Sequence, residues 1–143
     1  MIADIITRLK SNAPVFSGRV EGAGSFAAMM QSKRLPHVTP AAHIVPVGLQ
    51  GGKAEAAAGA FTQDTVETFG VIFTVRSSDP VGRDKLEPID AIKAEVIAAL
   101  SGWAPSTEVG VFQLVSGSLR NITDGALVYQ LDFRISDQLR IMS

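Results

Sequence analysis

Phe69, Val71, Phe73 and Val75 recur at every second position, and so do Leu127, Tyr129, Leu131, Phe133 and Ile135. A period of two sets each group on one face of a β-strand. Between them Leu86, Ile89, Ile92, Val96, Ile97 and Leu100 fall at helical spacing, with Lys85, Glu87, Asp90, Lys93 and Glu95 mostly off that stripe. Strands and helix with one apolar face each must bury those faces against one another. This pattern predicts an α+β fold: a mostly antiparallel or mixed sheet, one main helix over about residues 84–101, and an N-terminal helix packed against it.

The remaining segments fill in that outline. Ile2, Ile5, Ile6 and Leu9 form the stripe of the first helix, which Pro14 stops. A short strand over Val15 to Gly22 and a small helix over Ser25 to Ser32 follow. Ala42 to Leu49 reads as a strand in which Pro46 requires an edge or a bulge. The Gly/Ala-rich stretch at about 50–61 has almost no large apolar residue and reads as a flexible loop or extended hairpin tip. The longest strand, Thr62 to Arg76, carries Val66 and Ile72 on its second face, so both faces should be partly covered. Asp84 and Glu87 compete as N-caps because Pro88 suits the first helical position, and Gly102 suits the C′ position. Glu108 to Val115 reads as a strand, Ser116-Gly117-Ser118 as a turn, and Thr123-Asp124-Gly125 as a hairpin turn before the closing strand, Ala126 to Ile135.

At 143 residues the chain is the size of one domain. Folding at this size buries about two-thirds of the surface, enough for a core without crosslinks. Hydrophobic residues make up 46% and charged residues 19%, which excludes a disordered chain. No apolar run reaches the roughly 18 residues of a membrane span, and the first residues lack the layout of a signal peptide. The expectation is a soluble, intracellular, single-domain protein spanning residues 1–143. There is no cysteine, which excludes disulfides, thiolate metal sites and cysteine nucleophiles. The net charge of −1 argues against general binding to nucleic acid, and no sequence-specific nucleic-acid partner is expected. Charge is unevenly spread: residues 1–53 hold six basic and two acidic side chains, residues 54–108 four basic and nine acidic. Such polarity suits copies meeting unlike faces head to tail, and equally suits solvated faces of different sign.

The usual chemical constellations are missing. His37 and His43 stand in a proline-punctuated stretch without further ligands at metal spacing, and read as surface or packing residues. Gly51-Gly52-Lys53 lacks the remainder of a phosphate loop. Asp132 and Arg134 share a strand face and read as a solvated face or a subunit contact. Trp103, the only tryptophan, reads as a plug closing the helix–sheet layer. The sequence therefore predicts no catalytic residue, no cofactor, no metal and no enzymatic activity.

The order of segments does carry a resemblance. It comprises the Ile2 to Lys10 helix, the short strand and Phe/Met helix, PAAHIVPVGLQGG leading to QDTVETFGVIFTVRSS, LSGWAPSTEVGVFQLVSGSL after one helix, and the closing GALVYQLDFRISDQLR. In these the chain resembles the tail terminator (tail completion) proteins of long-tailed bacteriophages and prophages, over nearly its whole length. The resemblance implies a structural protein of the virion tail, at its head-proximal end and assembled in the host cytoplasm. It implies a homo-oligomeric ring of six copies that docks on the tail tube, halts tube growth and presents a surface to the head–neck connector. Its implied partners are itself, the major tail tube protein, the connector protein and the tape-measure protein, with no membrane. Another neck protein, such as a connector or stopper, is the alternative within this class; a small-ligand-binding α+β domain is the alternative outside it.

On that reading Gly51, Gly52, Lys53 and Glu55 are the first candidates for contact with neighbours or the tube, because their backbone can adapt. Arg19, Lys33 and Arg34 would meet Glu87, Asp90 or Glu95 of an adjacent copy. An exposed pair contributes at most about 1 kcal/mol, so a ring must also rest on buried apolar contact.

Overall fold

The computed structural model describes residues 1–76, 86–107, 110–123 and 125–142. In chain order the elements are α1 (Ile2–Asn12), a 3-10 turn (Pro14–Phe16), β1 (Val20–Glu21), α2 (Ala23–Ser32), β2 (Ala41–Ala57), β3 (Ala60–Arg76), α3 (Leu86–Leu100), β4 (Gln113–Thr123) and β5 (Ala126–Met142). The strands make one five-stranded sheet in the order β1-β2-β3-β5-β4, with β1 parallel to β2 and every other pair antiparallel. The α+β fold read from the sequence is the fold observed. No helix among the described residues is long and apolar enough to cross a membrane.

Register sorts the two faces of the sheet. Phe69 pairs with Phe133, Val71 with Leu131, Phe73 with Tyr129 and Val75 with Leu127, so both alternating sets lie on one face. α1 and α3 cover it. Ile5, Leu9, Phe16, Ile44, Ile92, Val96 and Leu100 join these strand residues in one buried cluster. α3 ends at Leu100, and Gly102 follows with φ +77°, a left-handed conformation that a residue without Cβ adopts freely. The helix already includes Leu86 and Glu87, so Pro88 does not open it. Asp84 lies outside the described residues, as do Glu108 and Asp124.

The second face carries His43, Ile72 and Gln130 in one register row, and Ala41, Thr74 and Val128 in another. α2 crosses this face, with Phe26 5.7 Å from the His43 ring. None of its side chains is fully buried. The segment leading into β2 is tied down from beneath: Arg76 donates to the carbonyls of Leu35 and Pro36, and Arg19 Nε donates to Pro40 O at 3.0 Å. β3 is thus covered on both faces at its Arg76 end, as its sequence suggested.

Two local expectations fail, and a third is narrowed to one of its alternatives, for identifiable reasons. Val15 to Gly22 is not a strand: Pro14–Phe16 coils into a 3-10 turn, Ser17 and Gly18 take positive φ, and only Val20–Glu21 pair. Ser116-Gly117-Ser118 is not a turn but the middle of β4, and the strand expected over Glu108 to Val115 begins only at Gln113, because Gly110 and Phe112 spend their amides on Ser136 O and Trp103 O instead of a strand ladder. A Cβ on Gly117 would sit 2.9 Å from Leu131 and 3.0 Å from the Tyr129 hydroxyl, so this glycine marks a close approach within a strand. The stretch at 50–61 takes the second of its two expected forms, an extended hairpin tip, and not that of a loop. β2 and β3 stay paired to Ala57 and Ala60, joined by Ala58 and Gly59 at φ +50° and +81°. Two left-handed residues in a two-residue connection match the twist of the strands, so the hairpin continues to its tip. Pro46 stands beside a register shift between Pro46 and Gly48, the bulge its sequence required.

Candidate functional site

Beyond that bulge β2, β3 and β5 leave the helices behind and continue as a three-stranded arm. It comprises β2 from Gly48 to Ala57, β3 from Ala60 to Thr68, and β5 from Arg134 to Met142. At about 3.3 Å per residue it is about 30 Å long. All of β2 from Pro46 onward and all of β5 from Ser136 onward is exposed. The arm is two-faced. On the side continuous with the core lie Leu49, Ala54, Ala56, Phe61, Leu139 and Ile141, interspersed with Gln63, Thr65, Glu67 and Asp137; on the other lie Gln50, Glu55, Thr62, Asp64, Val66, Gln138 and Arg140. Leu49 is 70% exposed, Ile141 56% and Leu139 46%. Exposed apolar side chains grouped on one side of an arm, as Leu49, Leu139 and Ile141 are, have the character of a contact surface.

Gly51, Gly52, Lys53 and Glu55 are all on this arm, as strand residues rather than a compliant loop. Gln63 Nε2 donates to Gly52 O at 3.3 Å, and Lys53 Nζ lies 3.6 Å from Glu55, both ends exposed. Leu139 and Ile141 complete this surface and were not among the residues expected from the sequence. Their alternation with Gln138 and Arg140 continues the pattern of 127–135 and was the signal available for them.

The remaining candidates divide between the two layers. Lys33 and Arg34, at the end of α2, line a groove of about 640 Å³ with Phe26, Met29, Ile72 and Arg120. Its floor is apolar and its rim cationic. Asp90 and Glu95 ride on α3, across the sheet, and Asp90 accepts from Lys93 Nζ at 3.1 Å. The Glu87 side chain lies outside the described residues. Within one copy the cations and carboxylates therefore stand on opposite layers and do not meet. Arg19 is held by its bond to Pro40 O. Asp132 accepts from Gln130 Nε2 at 2.7 Å, while Arg134 Nε reaches Gln113 at 3.4 Å, so those two charges engage different neighbours.

A second groove, of about 690 Å³, runs between α2 and the β1 edge and is lined by Arg19, Glu21, Arg34, His37 and His43. His43 is the buried member. Its Nδ1 has no hydrogen-bond partner and its Nε2 is 4.0 Å from Glu21. Burial lowers its pKa below 6.5, against a smaller upward pull from the Glu21 carboxylate, so the ring is neutral near pH 7. Among the described residues no three His, Asp or Glu side chains converge as metal ligands would. Trp103 packs on the core edge, stacked on Phe112 at 5.7 Å and 14° between planes.

No curated protein matches the chain's sequence. Among solved structures, a chain from the virion of a native gene transfer agent particle is similar in fold, with a TM-score of 0.62 at 15% identity, covering 97% of this chain and 95% of its own. The family model described as phage tail terminator protein matches residues 2–142. The chain, matched from its first helix to the end of the arm, belongs to the phage tail terminator protein family, structural proteins of the phage tail.

Proposed function

We propose that this protein ends the growth of the phage tail tube. Copies close into a ring of six that seats on the head-proximal end of the tube, blocks the surface on which the next tube subunit would add, and offers the head–neck connector a new one. It acts by shape, without catalysis, and assembles in the host cytoplasm around a tail whose tape-measure protein ends nearby. The observation that carries this reading is the arm: three strands held in register over about 30 Å, with Leu49, Leu139 and Ile141 exposed on one side. Strand order of that length costs conformational entropy, and little of its side-chain surface is buried in the isolated chain. Contact with a second molecule recovers that cost by burying the apolar side.

Termination also requires that the ring's outer face not repeat the tube's growing face. A chain that offers an apolar arm at one end and helices at the other has two such unlike faces. Electron microscopy of particles assembled without this protein tests the proposal. Tails of uncontrolled length support it. Normal-length tails detached from heads assign the protein to the neck instead, and normal infectious particles overturn both roles.

A further inference from the structure

The body of the sheet is closed at its flanks: β1 covers β2 at Ala42 and His43, and β4 covers β5 from Ala126 to Arg134. The arm is not. Among the described residues no strand pairs with the outer edge of β2 beyond His43, or with the outer edge of β5 beyond Arg134, where only the Gly110 amide reaches Ser136 O at 2.9 Å. That bond fixes the direction of the edge. Ser136 turns its carbonyl outward, so by the period of two Gln138, Arg140 and Met142 also present their backbone groups outward. An exposed ladder of this kind is a template for another strand.

We propose that the β5 edge of one copy adds to the β2 edge of the next, joining neighbouring arms into one continuous sheet. This rests on the ring reading above and names its seam. Three relationships on the arm support a second copy as the occupant. Because three strands alternate in direction, β2 and β5 run the same way; copies related by rotation about an axis along the arm therefore meet in a parallel pair. The two open edges lie at the same level, since Ala54 pairs with Gln63 and Gln63 with Leu139, while Ala56 pairs with Phe61 and Phe61 with Ile141. Joined at that level, Leu139 and Ile141 meet Ala54 and Ala56 of the next copy on the apolar side. The charges match as well: Glu55 and Arg140 both pair with Thr62, so Arg140 meets the next copy's Glu55 on the polar side. The contact uses different patches on the two copies, as a closed ring demands.

The chain has no native cysteine, which makes the test direct. The variant Glu55→Cys/Arg140→Cys places one thiol on each edge. Within a copy β3 separates the two strands, so their Cα atoms stand about 10 Å apart, beyond disulfide reach. Every disulfide formed is then between copies. Mild oxidation of the purified chain and of assembled particles should give a covalent ladder of multimers on a non-reducing gel, with at most dimers from either single variant. Glu55→Arg and Arg140→Glu should each lose at least tenfold in assembly, and the doubly reversed chain should recover most of it. Rings or capped tails that form normally but yield no multimers would overturn the seam and leave the ring standing. Single variants that crosslink as efficiently as the pair would overturn it by showing a symmetric contact. Crosslinks to a tube subunit alone would assign the edge to that partner, and failure to self-associate even on tails would remove seam and ring together.

Discussion

Arg8 and Trp103 join the two helices of the core face to the start of β4. The Arg8 guanidinium lies 5.2 Å above the indole ring, and its Nε donates to Ala99 O at 2.8 Å. Ala99 is in the last turn of α3, where free carbonyls carry the negative end of the helix dipole, so the cation serves helix end and ring together. Trp103 in turn stacks on Phe112 and accepts a bond from its amide at Trp103 O, while the neighbouring Gly102 N donates to Phe112 O. Arg8→Ala should therefore lower stability by about 1–2 kcal/mol in urea unfolding. It should also red-shift the emission of the chain's one tryptophan. Arg8→Lys keeps the charge and loses the planar donor, and should recover less than half of the loss. Unchanged emission in Arg8→Ala would show that the guanidinium does not shield the ring.

His43 gives the fold an acid limit. Its folded pKa is lowered, chiefly by burial, with Glu21 opposing the shift. In the unfolded chain the ring titrates near 6.5. Below that value the unfolded state takes up a proton that the folded state refuses, so the part of the stability linked to His43 is full above about pH 6.5 and declines as pH falls toward the folded pKa. His43→Leu should melt with a flatter pH dependence between pH 7 and 5, whatever its absolute melting temperature. Glu21→Gln removes the opposing pull and should make the decline steeper. Parallel curves for wild type and His43→Leu would show that another group sets the limit.

Thr74 is fully buried in β3, and its Oγ1 has no hydrogen-bond partner. A desolvated hydroxyl without a partner costs about 1–3 kcal/mol. Its register neighbours, Ala41 and Val128, are apolar. Thr74→Val keeps the shape and removes the cost, and should raise stability by about 1 kcal/mol in the same unfolding assay. Thr74→Ser keeps the hydroxyl and deletes the methyl group, and should lower it. A destabilised Thr74→Val would mean that the hydroxyl is satisfied in solution.

Phe69 to Val75, Leu127 to Ile135 and the α3 stripe belong to the core, and burial enforces their spacing, so pattern alone identified face, layer and fold class. The arm answers to no such constraint. Gly51, Gly52 and the alanines from 54 to 60 leave no apolar mark, and an Ala-Gly pair lacks the side-chain chemistry that usually announces a tight hairpin. Those residues are strand because β3 and β5 beside them are strand, a tertiary effect invisible to local propensity. Gly117 misled in the opposite direction: its smallness serves the packing of Leu131 and Tyr129, which no neighbour in sequence reveals. Arg19, Lys33 and Arg34 were legible as charges, but their layer, opposite Asp90 and Glu95, depends on α2 crossing the second face of the sheet.

The apolar side of the arm should separate folding from assembly. Leu139 and Ile141 are on the same face of β5, about half exposed, and far along the strand from the buried Phe133 and Ile135. An aspartate at either position stays solvated in the isolated chain, so Leu139→Asp and Ile141→Asp should each unfold within about 0.5 kcal/mol of wild type. In an assembly the same carboxylate is forced into an apolar contact without a partner, at a cost of several kcal/mol per copy. Each variant should therefore stay folded and monomeric where wild type forms rings, and tails made with it should run to uncontrolled length. Native mass spectrometry and tail-length measurement by electron microscopy read the two halves independently. Rings of normal abundance from Ile141→Asp would remove this face from the contact. A large drop in monomer stability would instead show that the arm packs on its own domain, and its exposure would then no longer argue for a partner.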